Sequence, residues 1–296
     1  MRVEELFESS MEPLGTDRFM TFVDDEAEIV NSNLPGLRVA ASNGHVVRSY
    51  VELLRKVAAL GYHNVRFKLL FRGQGQDYKL NIRAGSGVHS CLYPSILRPR
   101  PGQRRQQALD DAFARLAAAE RLLTERIPDR AVREHQLVRW ALLQHYQVCP
   151  TPLLDVTSSL QTALSFAVQD RAKGFLFVLA VPQPSGPVSV SIESMTQLID
   201  LCQACPPEAL RPHFQSAMLI GDYPTIAARE NTQGRRGLIG NNFSCRLLAK
   251  FRLVECPTWK AQGFISTATR ILFPDQDDGW FATLNKIKDE VFDRAA

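Results

Sequence analysis

The segment 68-KLLFRGQGQDYKL-80 joins a strand-like apolar run to residue types that can bind an anion. Arg72 ends the run and is followed by Gly73, Gln74 and Gly75. A guanidinium presents its N–H donors as a fixed fork that suits phosphate and hydroxyl groups. A glycine allows close approach to the backbone because it has no Cβ. The segment indicates a binding role for Arg72, but an ion pair with Asp155 and a plain tight turn at the glycines remain open.

Two further segments carry polar residues at the ends of apolar runs, 142-LLQHY-146 and 150-PTPLLDVTSSLQTALSFA-167. His145 and Tyr146 end a predicted helix, where they form either a pocket wall or a buried hydrogen-bonded pair. Asp155 is costly to bury alone, so it caps the next helix, pairs with an arginine or takes part in catalysis. Thr157 is an N-cap candidate first and a hydroxyl contact for a ligand second.

A third polar stretch, 229-RENTQGRRG-237, supplies the late candidates Gln233 and Glu230. A glutamine or glutamate near the hydroxyls of a ribose can stabilise a developing positive charge on the sugar. The carboxylate of Glu230 would stabilise such a charge more strongly than an amide, whereas Gln233 directly precedes a glycine. Both residues therefore stay as alternatives.

These residues must be positioned by helices and strands, which the apolar periodicity predicts in outline. Residues 1–45 and 81–104 are mixed or loop-like, and residues 192–220 are predicted to be helical or irregular. The predicted helices are 47–60, 106–127, 130–146, one that starts at Thr157 or Ser158, and one at the C-terminal end of the sequence; the predicted strands are 64–71, 152–157, 174–182 and 245–255.

Composition restricts the class of protein. Of the 296 residues, 45% are apolar and 22% are charged, as in an ordinary globular protein, and the net charge of +4 is too small for a dedicated nucleic-acid binder. No apolar run reaches the length of a membrane span, and the acidic N-terminus does not resemble a signal peptide, so a cytoplasmic protein is expected. Six cysteines are expected as free thiols, and Cys202-x-x-Cys205 with His213 lacks the second C-x-x-C of a typical zinc site.

The segments resemble the FRG domain family. The matching motifs are FRGQ at 71–74, YPSILR at 93–98, the 142–167 block, the late glutamine segment and LFPD at 272–275, and they run in family order. The family pattern is similar to the layout of ADP-ribosyltransferases. The resemblance implies an α+β fold with a small curved or split sheet surrounded by helices, in which residues 1–60 form a helical or irregular extension and residues 61–296 the FRG domain.

The same resemblance implies an ADP-ribosyltransferase-like protein that uses NAD as substrate and modifies a protein or nucleic-acid acceptor. A bacterial toxin or phage-defence effector, with an antitoxin or regulatory partner, fits this expectation. NAD hydrolysis is a close variant, and a non-catalytic nucleotide-sensing or interaction module that uses the Arg72 pocket is the alternative. The implied catalytic residues are Arg72, Thr157, Gln233 and Glu230, and the implied NAD-binding residues are Arg72, Gly73, Gln74, His145, Tyr146 and Asp155; no metal is expected.

Overall fold

The computed structural model describes residues 19–24, 26–30, 35–81, 88–98, 105–169, 171–192, 196–223, 243–273, 275 and 277–293. Within these ranges the protein has an α+β fold, in which helices surround a large mixed sheet. The strands are β1 (Phe19–Val23), β2 (Glu26–Val30), β3 (His45–Val47), β4 (Phe67–Gln74), β5 (Lys79–Asn81), β6 (Val88–Ser90), β7 (Leu154–Thr157), β8 (Gly174–Pro182), β9 (Val188–Ser191), β10 (Thr196–Asp200), β11 (Ala217–Asp222) and β12 (Leu247–Leu253).

The described helices vary from one turn to six turns. The α-helices are α1 (Pro35–Ala41), α2 (Tyr50–His63), α3 (Arg105–Arg126), α4 (Arg130–Glu134), α5 (Gln136–His145), α6 (Leu160–Val168), α7 (Leu201–Ala204), α8 (Leu210–Phe214), α9 (Thr269–Leu272) and α10 (Phe281–Asp293). Short 3-10 helices cover Ser95–Leu97, Phe243–Arg246 and Cys256–Gln262. None of the described helices is long and apolar enough to span a lipid bilayer.

The main sheet has ten described strands, in the order β2-β1-β12-β8-β4-β7-β11-β10-β9, with β3 also paired to β12. The FRGQ strand β4 lies between β8 and β7, and both pairings are antiparallel. Phe71 is opposite Thr157 of β7 in this register. The pairing therefore brings the start of FRGQ next to the strand that carries Asp155.

The central strands bury both faces, as their nearly continuous apolar sequences predict. Along β8, Leu176 and Val178 pack with α2 and α6, whereas Phe177 and Leu179 pack on the other face with α1. This alternation follows from the two-residue period of a strand. Helices α3, α5 and α10 form a further apolar cluster beside β10 and β11.

The structure confirms most of the predicted helices and strands between residues 47 and 182, but the helix predicted over 130–146 is two helices, α4 and α5, separated at His135. Residues 192–220 were predicted to be helical or irregular, but β10 and most of β11 lie there, with α7 and α8 between them. The N-terminal β1, β2 and β3 were not predicted at all. The sheet is therefore larger than the small sheet expected, because short strands without strict alternation give no clear periodic signal.

The turn after FRGQ is anchored by a fully buried lysine, Lys250 of β12. Its Nζ atom donates to the carbonyl of Ser42 (2.6 Å), the hydroxyl of Ser90 (2.9 Å) and the Oδ2 atom of Asp77 (3.0 Å). Burial lowers the pKa of Lys250, and the carboxylate of Asp77 opposes that shift. This ion pair joins the segment that follows FRGQ to the core of the sheet.

Candidate functional site

A cleft of about 610 Å³ opens at the end of β4 and lies within the size range of small-molecule sites. Its walls come from β4, β7, α5, α6, α8 and α10 together with the loops that join them. The lining residues include Phe71, Arg72, Gly73, Gln74, Gly75, Tyr78, Arg98, Gln144, His145, Asp155, Thr157, Phe166, Arg211, Phe273, Lys288 and Phe292.

Arg72 lines this cleft and connects β4 to β7. Its Nη1 atom donates a hydrogen bond to the main-chain carbonyl of Asp155, and its Nε atom is buried without a partner in the described part of the chain. Burial lowers the pKa of Arg72 to about 10, against the opposing effect of the Asp155 carboxylate, so the guanidinium stays charged at neutral pH. Arg72 thus has both a structural bond and a donor left over for a ligand.

Asp155 is held in the cleft by Gln144 of α5. The Oε1 atom of Gln144 accepts from the N–H of Thr151 (3.1 Å), the hydroxyl of Thr151 (3.0 Å) and the hydroxyl of Ser95 (3.2 Å). These donors fix the orientation of the amide, so its Nε2 atom donates to Oδ2 of Asp155 at 2.7 Å. Sequence reasoning named Asp155 but not Gln144, although Gln144 stands next to His145 in the LLQHY segment.

His145 ends α5 and is buried against the cleft. Burial lowers the pKa of His145 to about 4, opposed by Asp155 and assisted by the charge of Arg211, so the ring is neutral at neutral pH. Its Nε2 atom has no hydrogen-bond partner among the described residues. A neutral imidazole in this position can donate to or accept from a ligand, depending on its tautomer.

Tyr146 lies behind the cleft wall and is not among the lining residues. Its hydroxyl donates to the side chain of Asp278, which lies just before α10. Burial and this bond raise the pKa of Tyr146 far above its ordinary value. In the structure Tyr146 therefore bonds to Asp278 behind the cleft wall, whereas the family resemblance implied that Tyr146 contacts NAD.

Thr157 lines the cleft, but its hydroxyl is already engaged with the main chain. It donates to the carbonyls of Gln215 (2.7 Å) and Ser216 (3.1 Å) and accepts from the N–H of Ser159 (2.9 Å). The N-cap of α6 is Ser159, whose hydroxyl accepts from the N–H of Thr162. The prediction that Thr157 or Ser158 caps this helix was wrong by one or two residues, because the chain turns at 157–159 before the helix begins.

The glycines of FRGQGQ are explained by the protein's own packing. A Cβ on Gly73 would lie 1.7 Å from the carbonyl oxygen of Ala163, so β4 can approach α6 only with glycine there. A Cβ on Gly75 would lie 1.2 Å from Nη1 of Arg171. Close approach of the helix backbone requires glycine at Gly73, whereas the group near Gly75 is the end of a flexible arginine side chain that can shift.

The cleft is basic and partly aromatic. Its charged lining residues are Arg72, Arg98, Arg211 and Lys288 against the single described carboxylate of Asp155, and its aromatic lining residues are Phe71, Tyr78, Phe166, Phe273 and Phe292. Sequence reasoning missed Arg211, Phe273 and Lys288 as site residues. Only LFPD at 272–275, which was quoted as a motif, pointed to this region of the chain.

Four lining residues have a buried polar atom with no hydrogen-bond partner in the described structure. These atoms are Nε of Arg72, Oε1 of Gln74, Nε2 of His145 and Nε of Arg211. Such atoms destabilise a fold by about 1–3 kcal/mol each unless something satisfies them. The four residues that carry these atoms all line one cleft, which is the strongest sign that the cleft is built to receive a polar ligand.

The late candidates Glu230 and Gln233 lie outside the described residues. Cys202 is exposed and Cys205 is buried, and both are free thiols. The described residues contain no group of three or more His, Cys, Asp or Glu side chains that could hold a metal ion.

A comparison with known protein families finds a match to the part of the chain that contains most of the cleft-lining residues. The FRG domain model matches residues 68–174. The match supports the predicted relationship to the FRG family and covers β4, β7 and α6, whereas Arg211 and Lys288 lie beyond it. No curated protein matches the chain. No solved structure matches it either.

Proposed function

We propose that the cleft binds NAD and that the protein is an ADP-ribosyltransferase-like enzyme that cleaves the bond between nicotinamide and ribose. The observation that carries this proposal is the set of unpartnered buried atoms on Arg72, Gln74, His145 and Arg211 around one cleft. Three of these four residues were named as NAD-binding residues from the sequence, and the fourth adds a charge that suits a diphosphate.

The charge and shape of the cleft are compatible with a dinucleotide. The phosphates of NAD bind to guanidinium groups, and its bases stack on aromatic side chains such as Phe166 and Phe273. The amide of Gln74 offers an unpartnered oxygen that can accept a hydrogen bond from an amide or hydroxyl of the ligand. A cleft of this size accepts a ligand of several hundred daltons.

The proposed reaction breaks the C1′–N1 bond of the nicotinamide ribose. The bonding electron pair leaves with nicotinamide, and positive charge develops on C1′ and the ring oxygen. A nucleophilic oxygen or nitrogen of a protein or nucleic-acid acceptor, or water, then bonds to C1′ and loses its proton. Glu230 or Gln233 remains the proposed stabilising group, and a toxin or phage-defence role remains part of the proposal.

A non-catalytic nucleotide-sensing module is the second candidate. It is favoured by the engagement of Thr157 and Asp155 in the described structure, because the Thr157 hydroxyl bonds to main-chain groups and Gln144 holds the Asp155 carboxylate. The Thr157 hydroxyl cannot act on a substrate without breaking these bonds, and one oxygen of the Asp155 carboxylate, Oδ2, is already engaged by Gln144. In this case the same cleft would bind the nucleotide and transmit its presence to a partner.

The test is to incubate the purified protein with NAD, follow nicotinamide release by chromatography and measure NAD binding by calorimetry. Arg72→Lys keeps the charge but cannot both bond to the Asp155 carbonyl and fork onto a phosphate, so it should lose release. Arg55→Lys makes the same exchange at an exposed position of α2 and is the control.

Release by the wild type and by Arg55→Lys, but not by a folded Arg72→Lys, would support the enzyme. Binding without release would support the sensing module. Neither binding nor release at millimolar NAD would overturn both candidates.

A further inference from the structure

We infer that Arg211 is a second anion-binding residue of the cleft and takes a phosphate group of the nucleotide together with Arg72. The inference rests on the proposed function only in assuming that the ligand carries phosphate. Arg211 belongs to α8, outside the matched FRG segment, and no sequence motif drew attention to it.

The side chain of Arg211 is held rigidly at the cleft. It is 5% exposed, and its Cζ atom lies 4.4 Å from the ring centroid of Phe273 and 5.9 Å from that of Tyr146. Its backbone N–H donates to Oδ2 of Asp278 at 3.1 Å, the same carboxylate oxygen that accepts from the hydroxyl of Tyr146. The aromatic contacts therefore hold this guanidinium, and the Asp278 bond holds the backbone of Arg211, before any ligand arrives.

The guanidinium nevertheless keeps an unused donor. Arg211 lines the cleft, and its Nε atom is buried with no hydrogen-bond partner in the described structure. Arginines with a structural role elsewhere in the protein are bonded: Arg246 donates to the Thr196 hydroxyl, and Nη1 of Arg139 donates to the carbonyl of Val132. A buried charge with a free donor is costly in a purely structural role. These observations fit better with a role for Arg211 in binding an anionic ligand.

The position of the other charges suggests what kind of anion is bound. Arg211 comes from α8 and Arg72 from β4, and Arg98 and Lys288 add two more positive charges to the same walls. A ligand with a single neutral sugar and base would leave these donors unsatisfied. A diphosphate offers several oxygens to several guanidinium groups, which is the arrangement that arginine recognises best.

The test compares ligands that differ in phosphate content. Binding of ADP-ribose, inorganic pyrophosphate and adenosine is measured by calorimetry for the wild type, Arg211→Lys and Arg211→Gln. Arg270→Lys, at an exposed arginine of α9, is the control. We expect both Arg211 variants to weaken ADP-ribose binding by about 10–100-fold and to leave adenosine binding unchanged.

Thermal unfolding of each variant checks that it is folded. If Arg211→Lys does not fold, the comparison is made with Arg211→Gln. Unchanged ADP-ribose affinity in a folded variant would overturn the inference. An equal loss of affinity for ADP-ribose and adenosine would also overturn it, since that result indicates only a distorted cleft.

The outcome is separable from that of the proposed function. If NAD is neither bound nor cleaved but pyrophosphate binds in a manner that depends on Arg211, the proposed function fails and the inference stands. If NAD is cleaved and the Arg211 variants bind ADP-ribose normally, the inference fails and the proposed function stands. If neither NAD nor either phosphate ligand binds the wild type, both are overturned.

Discussion

Replacing Gly73 by alanine tests whether the glycine of FRGQ serves packing or ligand approach. The added Cβ would lie 1.7 Å from the carbonyl oxygen and 2.7 Å from the carbonyl carbon of Ala163, and ordinary contact begins at 3.4 Å. The neighbouring atoms belong to the backbone of α6, so no side chain can rotate out of the way. Strand β4 and helix α6 must separate, and we expect a loss of about 3 kcal/mol in the free energy of unfolding.

The assay is urea unfolding followed by circular dichroism, with Gly61→Ala as the matched control. A Cβ at Gly61 of α2 would have Cδ1 of Leu69 as its nearest neighbour, at 3.8 Å, so the same exchange meets no obstacle there. Alanine should stabilise that helix position by about 0.5–1 kcal/mol. If Gly73→Ala unfolds at the same urea concentration as the wild type yet loses ADP-ribose binding, the packing explanation is refuted and the glycine serves the ligand.

The remaining predictions concern two buried titratable groups. Lys250→Met should lower the free energy of unfolding by about 3–5 kcal/mol because it leaves Asp77 without its buried partner, and adding Asp77→Asn should recover part of the loss in the same urea assay. For His145, the unfolded state binds a proton below about pH 6.5, whereas the folded state, with a pKa of about 4, does not. Wild-type stability should therefore fall between pH 6.5 and 4 more steeply than that of His145→Gln; parallel pH profiles would contradict this assignment.

Parts of the fold with strong local patterns were predictable from the sequence. The apolar run of β8 and the Ser159-capped helix α6 carry their own signals, and so does the long helix α3. Strand β10 and strand β11 were not predicted because TQLID and AMLIGD show no strict alternation of apolar and polar residues. Their identity as strands depends on pairing with distant neighbours, which single-sequence periodicity cannot indicate.

The residues of the candidate site also include some that the sequence predicted and some that it did not. Arg72, His145 and Asp155 were found because they stand in compact motifs, and the structure brings them to one cleft. Arg211 and Lys288 were missed because a basic residue in a helix is usually a surface residue, and only tertiary packing buries Arg211 beside the other site residues. Sequence reasoning therefore recovers the β4, β7 and α5 walls but not the walls that α8 and α10 contribute.

The order of strands in the sheet has a consequence for how the chain folds as it is synthesised. Strands β4, β7 and β8 leave the ribosome early, but β8 receives its second neighbour, β12, only after residue 246. Until then the nascent chain presents an apolar open edge, the kind of surface that aggregates or requires a chaperone. A fragment cut to residues 68–174 would be still less complete, since it ends at the first residue of β8 and lacks both β12 and β11, the outer neighbour of β7.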